Sequence, residues 1–398
     1  MGDRTIIIVG GGLGGLTAAL ALLRQGIKVT VLEQAEELRE LGAGVQLSPN
    51  GTRVLSHLGL DDAMNAVSVA PQAKEIRLWN SGETWPLFDL GATAIAEFGH
   101  PYLMFHRGDL QMLLARAVLA ASPSAIRLGA KVTDIIDDGQ APTAVLTDGE
   151  RVSGLALVGA DGIHSRVRSA LFGDSRPSFT GCVAWRGTVA SRSLPDRLSR
   201  AVGTNWVGPG RHVVTYPLRC GELINFVGVV ERDAWETESW TARGDRADCA
   251  ADFAGWHEDV HALIENIEVH YRWALMSRPP IKQWSRGNIV LIGDAAHPML
   301  PFMAQGAVMA IEDGMILARC FSHFASDPEK AIASFKAARI ERANRCVELA
   351  DRNRLLFHNE RLFDREDAHR YVTSQWNEEK VRERYDWLFR YDAVGCSI

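Results

Sequence analysis

The chain of 398 residues lacks several things that would place it in a narrower class. Its six cysteines, Cys182, Cys220, Cys249, Cys320, Cys346 and Cys396, include no C-x-x-C pair, which argues for reduced thiols and a cytoplasmic location. No apolar run is long enough to span a bilayer. No charged and then apolar leader precedes a cleavage site, and Ile6 stands where a myristoylation signal needs Ser or Thr. Positive charge is not in excess: 43 Lys and Arg against 49 Asp and Glu leave a net charge of −6, so there is no global attraction to nucleic acid or anionic lipid. Internal repeats and low-complexity linkers are missing too. What is present is a globular composition, 46% hydrophobic and 23% charged, on a chain long enough for two or three domains.

The most informative stretch comes first. Residues 5–9, Thr-Ile-Ile-Ile-Val, read as a buried strand that runs into Gly10, Gly12 and Gly15, the spacing G-x-G-x-x-G. The first glycine allows a tight turn, the second lets backbone approach a pyrophosphate, and the third lets the next helix pack on the strand. An Ala/Leu-rich helix is expected over 16–25, stopped by Gly26, then a second strand over 28–32. Glu33 follows, where a carboxylate would accept both hydroxyls of an adenosine ribose. Strand, helix, strand and acid in register point to dinucleotide binding.

Further along, the small-residue segment 41–50 reads as a loop whose backbone must come close to something, ahead of a helix over 51–58. Residues 68–91, where Ile76 and Leu78 alternate with Glu75 and Arg77, read as strands that leave the nucleotide unit. His106-Arg107 opens a helix to 120; Arg107 has the wrong sign for a helix start and needs an anion beside it. A β-meander is expected over 126–148. A second strand-turn-helix unit has Asp161 at its tip and a helix over 163–172; a third ends its strand at Gly293-Asp294. Between them lie antiparallel strands over 184–190, 202–207, 212–218, 223–230 and 269–275, with a helix over 247–264. Two Pro-bounded turns, at Pro298 and Pro301, precede a helix to about 321, and the amphipathic helices beyond 328 are expected to pack back onto the first domain. In an open α/β sheet ligands lie outside the carboxyl ends of the strands, so Glu33, Asp161 and Asp294 could meet one extended ligand; for any one acid the plainer role is a helix cap.

Taken together, the N-terminal fingerprint with Glu33, Gly159-Ala160-Asp161-Gly162, and Gly293-Asp-Ala-Ala-His-Pro298 with Gln305-Gly306-Ala307 and Ile311-Glu312-Asp313 resemble the flavin-dependent aromatic hydroxylases of the para-hydroxybenzoate hydroxylase fold. His106-Arg107 and Trp185-Arg186-Gly187 add to the match, which is closest to the salicylate, 3-hydroxybenzoate and 6-hydroxynicotinate hydroxylases and runs from Thr5 to about Cys346. The resemblance implies an α/β fold with an α+β insertion. An FAD-binding Rossmann-like domain (1–70, 101–176 and 285–327) would carry an inserted antiparallel substrate-binding sheet (71–100 and 177–284) and C-terminal helices (328–398). It implies FAD, with NADH or NADPH as a transient co-substrate, held by Gly10, Gly12, Leu13, Gly14, Gly15, Glu33, Gln34, Val45, Arg107, Val132, Asp161, Asp294, Gly306 and Ala307. The helix beginning near Gly306 would turn its positive end to the anionic N1-C2 edge of a reduced flavin.

The implied reaction is hydroxylation of a small phenolic acid by O₂ through a C4a-hydroperoxyflavin, with an N-heteroaromatic such as a hydroxynicotinate, or a dehydrogenase of the same fold, as alternatives. A phenol reacts best as its phenolate, which calls for a base that titrates near neutrality. His212 and Tyr216 lie four apart on a predicted strand, hence on one face, and the resemblance makes them the catalytic pair. Gln46, Pro301 and Phe302 would line the substrate side; each replaces a polar residue of the relatives, which makes the pocket roof less polar. His297 reads as loop architecture. His257-Glu258-Asp-Val-His261 matches H-E-x-x-H, but no third ligand follows: Ile264 and Ile267 stand where a metzincin has Gly and His, so no metal is expected. A halogenase of this superfamily would carry W-x-W-x-I-P, which is missing, and a mere nucleotide sensor would not need the His-Tyr pair. Partners are therefore the aromatic acid and O₂, with no nucleic acid and no membrane span; a homodimer is allowed.

Overall fold

The structure is a computed structural model that describes residues 5–38, 44–137, 139, 141–174, 176–233 and 242–398. Residues 41–43 of the small-residue segment lie outside them. The strand Ile6–Val9 is central to a six-stranded sheet, between Val29–Leu32 and Ala156–Gly159. Ile6 pairs with Val29 on one side and Ala156 on the other, both parallel, and all four of its side chains are buried. Strands covered on both faces are expected to be continuously apolar, as this one is. Ile289–Leu291 and Ser285–Arg286 extend the sheet on one side, Ile126–Arg127 on the other.

The helix Leu13–Arg24 covers this sheet and packs against the helix Gly306–His323, which brings sequence three hundred residues away beside the fingerprint. The approach is close because Gly314 is small: a Cβ there would lie 2.7 Å from the Ala18 amide nitrogen. Leu16 and Leu20 are fully buried; truncating either to Ala would cost about 2–5 kcal/mol.

A seven-stranded sheet runs Tyr271–Ser277, Ser178–Ala190, Leu223–Glu231, Arg211–Leu218, Val202–Gly208, Ala73–Leu78, Thr84–Asp89. It is antiparallel apart from the parallel pair Val202–Gly208 and Ala73–Leu78. The helices Arg246–Asp252 and Glu258–Asn266 cover one face over Trp185 and Phe226, with Phe253, at the end of the first helix, packed between.

Four expectations need correction, and a fifth, that the C-terminal helices pack onto the first domain, is met and exceeded. The segment expected as a loop contains a strand, Gly44–Leu47, paired with Leu103–His106. Gly44 has no room for a side chain, since a Cβ would lie 2.4 Å from Tyr216 Cε2, so the close approach read from the small residues does occur. Ser68–Val69 joins that small sheet rather than the large one. The meander begins only at Val132–Ile136, because Ile126–Arg127 pairs in parallel with the main sheet. The helix expected over 247–264 is two, interrupted where Gly255 takes φ +79°. The C-terminal helices Pro328–Phe357, Arg365–Gln375 and Glu378–Phe389 reach beyond the first domain: His369 contacts Glu83 at 2.7 Å, and Tyr385 packs edge-on to Phe88 at 4.8 Å.

Candidate active site

A cleft of about 1180 Å³ runs from the fingerprint to the large sheet, at the upper limit of ordinary small-molecule pockets. At one end, Gly10 adopts φ +108°, and a Cβ there would lie 2.5 Å from the Ala160 carbonyl oxygen. A Cβ on Gly12 would meet no atom within 4 Å and would instead occupy space in the cleft. The helix that starts at Leu13 has no side-chain cap and no acid in its first turn, so its N–H groups are left for an anion. Glu33 accepts from the Gly11 N–H at 2.7 Å and the Ala35 N–H at 2.9 Å. Leu13, Gly14, Gln34 and Val132 line the cleft too, and Val45 lines it beside Gly44, next to Tyr216. Gly15 is not on the cleft wall: a Cβ would lie 2.1 Å from the Gly10 carbonyl oxygen, so this glycine lets the helix pack onto the strand.

Midway, Arg107 and Asp294 both open onto the cleft. Arg107 forms no ion pair with a carboxylate among the described residues, so none of their carboxylates is the anion that its place at a helix start calls for. The surrounding protein pushes the Asp294 carboxyl above its ordinary pKa, against the pull of His297 and Arg107. Asp161 lines the cleft, but its oxygens are engaged by the helix Arg166–Phe172: they accept from Ser165 Oγ at 2.5 Å, Arg166 N–H at 2.7 Å and Val167 N–H at 3.1 Å. Burial raises its pKa and these bonds lower it, the former prevailing. The plainer capping role thus holds for Asp161 alongside its place on the cleft wall.

The helix Gly306–His323 starts on the cleft wall with no side-chain cap. The preceding Gln305 cannot cap it, because its amide is tied to Ser48 Oγ at 3.0 Å and to Asn50 at 3.3 Å. Ala304 holds a left-handed φ of 54°, an unfavourable conformation for alanine that sets this helix start. Two uncapped helix starts, Arg107 and the open space over Gly12 fit an elongated dianionic dinucleotide such as FAD, whose redox chemistry the site would host.

At the far end, His212 and Tyr216 share one face of the strand Arg211–Leu218, and both line the cleft. His212 is buried, and burial together with His358 holds its pKa well below the ordinary imidazole value. Burial pushes the Tyr216 phenol up, against Arg186 and Gln46. Gln46 Oε1 accepts from Tyr102 Oη at 2.8 Å. Pro301 and Phe302 are on the wall, and Phe302 meets the His212 ring edge-on at 5.1 Å. His297 lies off the cleft, 2.6 Å from Asp313. His257 precedes the helix Glu258–Asn266, accepting from the Asp259 N–H, so the H-E-x-x-H residues do not lie on one helix turn.

Several wall residues were given no place in the site by the sequence reading, among them Lys74, Arg186, Phe357 and Tyr385. Lys74 is buried in the cleft, near the Tyr102 ring, with no carboxylate partner among the described residues; burial lowers its pKa to about 8. Its signal was available, since Lys74 shares the parity of Ile76 and Leu78 and so faces inward. Arg186 stacks 4.4 Å over Trp273, with its pKa lowered to about 10 by burial and by Arg107. Phe357 and Tyr385 arrive from the C-terminal helices, and no local pattern announces them. The roof at Pro301 and Phe302 is apolar as expected, but the opposite walls are not.

A family model described as FAD binding domain matches residues 3–350. The chain is 37% identical over 389 residues to a 3-amino-4-hydroxybenzoate 2-monooxygenase of Streptomyces platensis, covering 98% of this chain and 96% of that one. It is 36% identical over 360 residues to a 6-hydroxynicotinate 3-monooxygenase of Pseudomonas fluorescens, covering 89% and 92%. Among solved structures, Klebsiella pneumoniae HpxO complexed with FAD and uric acid aligns with a TM-score of 0.83 at 28% identity, over 97% of this chain and 96% of that one. No helix among the described residues is long and apolar enough to cross a membrane. Fold, cleft and relatives agree, and the chain belongs to the FAD binding domain family of flavoproteins.

Proposed function

We propose that this chain is an FAD-dependent, NAD(P)H-consuming monooxygenase that hydroxylates a small phenolic acid. The observation that carries the substrate class is the company His212 and Tyr216 keep: an imidazole, a phenol and the Lys74 cation, without a carboxylate partner among the described residues, on the wall of one cleft. An aromatic carboxylic acid with a ring hydroxyl has a group for each. Bound FAD, reduced by NAD(P)H, supplies the O₂ activation. The chain's own part is to hold and to deprotonate.

In this reading Gly10, Gly12, Leu13, Gly14, Glu33, Gln34 and Val132 hold the ADP half, Arg107, Asp161 and Asp294 hold the pyrophosphate and ribityl region, and Val45 is a further cofactor contact. Unpaired N–H groups at Gly306 and Ala307 stabilise negative charge on the flavin. His212 takes the phenolic proton at Nε2, since Nδ1 is engaged by His358. Tyr216, with Gln46, orients the ring hydroxyl. Lys74 pairs with the carboxylate, and Pro301 and Phe302 keep water from the reacting ring. The cofactor domain would comprise 1–70, 101–176 and 285–327, and the substrate sheet 71–100 and 177–284. A cytoplasmic location and a homodimer go with this reading.

The test is direct. Purified protein should be yellow, and a panel of hydroxybenzoates, aminohydroxybenzoates and hydroxypyridine carboxylates should include one that accelerates NAD(P)H oxidation with formation of a hydroxylated product. A colourless protein that cannot be reconstituted with FAD, or a panel that leaves oxidation at its basal rate, would sink the reading.

A further inference from the structure

We propose that His358 and Glu231 are positioning residues that carry the substrate's phenolic proton from His212 to the protein surface. This rests on the cleft being the site of a phenol hydroxylase. Three side chains from three separate elements form one line. His212 Nδ1 lies 2.6 Å from His358 Nε2, and His358 Nδ1 lies 2.8 Å from Glu231 Oε1. Both imidazoles are buried, at 2% and 6% exposure, whereas the Glu231 side chain is 42% exposed. The line therefore starts on the cleft wall and ends in solvent.

The backbone clamps it. His358 caps the end of the helix Pro328–Phe357, and its carbonyl accepts from the Gly210 N–H at 3.1 Å, while the Glu231 N–H donates to the Gly210 carbonyl at 3.0 Å. Phe302 and Phe357 pack on the His212 ring at 5.1 and 5.3 Å, so apolar rings flank the imidazole chain where it leaves the cleft.

The bonds can all run one way. Glu231, as a carboxylate, accepts from His358 Nδ1–H; His358 Nε2 is then bare and accepts from His212 Nδ1–H; His212 Nε2 is then bare and free for a phenol. When the phenol O–H bond breaks, its proton forms an N–H bond at His212 Nε2. The Nδ1 proton of His212 passes to His358 Nε2, and the Nδ1 proton of His358 passes to Glu231, which releases it to water. Each imidazole gains one proton and loses one, so neither ends as a cation and the net product is phenolate and a solvated proton. Burial disfavours an imidazolium at either ring, so His212 is a weak base by itself and an adequate one when the proton moves on.

Another use of the same residues is less well supported. Donor atoms of Cys182, Glu231 and His358 lie within 4.8 Å of one another, a spacing that a metal ion could bridge. Arg354 faces Glu231 at 3.0 Å, and burial pushes the Cys182 thiol up to about 11, so the cluster offers a cation one guanidinium too many and a protonated thiol. The charged and titratable groups facing Glu231 are Arg354, with Asp351 behind it, His358 and Cys182.

The test is stopped-flow proton release from oxidised FAD holoenzyme in weak buffer with phenol red, using 3-hydroxybenzoate, 3-amino-4-hydroxybenzoate and 6-hydroxynicotinate as probes. Variants are His358→Gln, Glu231→Gln and His358→Ala, each first checked for a wild-type flavin spectrum. The relay requires release at least tenfold slower in His358→Gln and severalfold slower in Glu231→Gln, with probe dissociation constants within twofold of wild type. Added imidazole should restore the rate in His358→Ala. Half-exposed Glu231 keeps the test alive if His358 variants misfold. Release at the wild-type rate in the folded variants, with wild-type hydroxylation intact, overturns the relay alone. A wild-type holoenzyme that releases no proton and oxidises no extra NAD(P)H with any probe overturns the functional reading and the relay with it.

Discussion

Beneath the helix Gly306–His323, Arg339 holds Glu312 and Asp313 at 2.6 and 2.7 Å in a cluster with no exposed side-chain surface. Beside the substrate pair, by contrast, His212 and His358 form a chain that ends at half-exposed Glu231. The first cluster is charged and closed. Arg342 adds a second bond to Glu312 at 2.8 Å, and His297 reaches Asp313 at 2.6 Å, so two carboxylates face two guanidiniums and an imidazole. The second is neutral at its buried end and open to water at the other. A buried charge is tolerable only when fully paired and hydrogen-bonded, which suits a fixed support for the helix start at Gly306. A buried neutral imidazole has one donor and one acceptor, which suits a group that must change its proton.

The largest effect should come from opening the closed cluster. Arg339→Met leaves Glu312 and Asp313 without their shared partner, and breaking such a buried pair costs about 3–5 kcal/mol. Thermal unfolding should show a large drop in Tm together with loss of bound FAD; a Tm within a few degrees of wild type would mean that the cluster does not support the cofactor wall. Next comes His212→Gln, which should lower hydroxylation by about 10²–10⁴-fold while FAD stays bound. Unchanged turnover would remove His212 from the mechanism.

Lys74→Met should raise KM for a carboxylate substrate by about ten- to a hundredfold, the value of a hydrogen bond to a charged group, with a smaller change in kcat. The free enzyme's Lys74 is cationic below its pKa of about 8, so affinity for the acid should fall as pH rises through that value. A flat KM profile from pH 7 to 9 would separate Lys74 from the carboxylate.

The Asp313 carboxyl tests the closed cluster by acid. Burial alone would raise its pKa, but His297 and Arg339 outweigh burial and hold it at about 2, below the ordinary 3.8. A depressed folded pKa contributes stability above the unfolded value that is lost as pH falls through the folded one. Acid unfolding between about pH 4 and 2 should therefore be less steep in Asp313→Asn than in wild type, and equal slopes would count against the pairing. Smallest of all, Glu231→Gln should shift stability by no more than about 1 kcal/mol, because its side chain is half in water. A larger loss would make the open end as structural as the closed one.

The parts of the molecule legible in the sequence were those set by neighbours in the chain. The strand Ile6–Val9, the turn at Gly10 and the helix Leu13–Arg24 follow from apolar runs and glycine spacing. His212 and Tyr216 share a face because strands have period two, and both line the cleft. The same rule placed Lys74 inward, and only its charge disguised it as a surface residue. Gly44–Leu47 was misread because Val45 and Leu47 are its only apolar residues and follow a run of small ones; the segment is extended because Leu103–His106 pairs with it. His358 left no trace at all. It lies 146 residues from His212, at a helix end, and nothing local distinguishes it from a surface histidine.

The sequence by itself determined the cofactor wall, since Gly10, Gly12 and Glu33 act through backbone conformation and short-range spacing. It also put His212 and Tyr216 on one face, as far as one strand can. Only the tertiary structure decided what those residues work against. Asp161 became a helix cap as well as a wall residue because Ser165 and the amides of Arg166 and Val167 reached it first. His212 gained an outlet because the end of the helix Pro328–Phe357 docks on its strand. Hydrogen bonds and desolvation depend on which atoms share a few ångströms of space, and that is set by packing between distant segments.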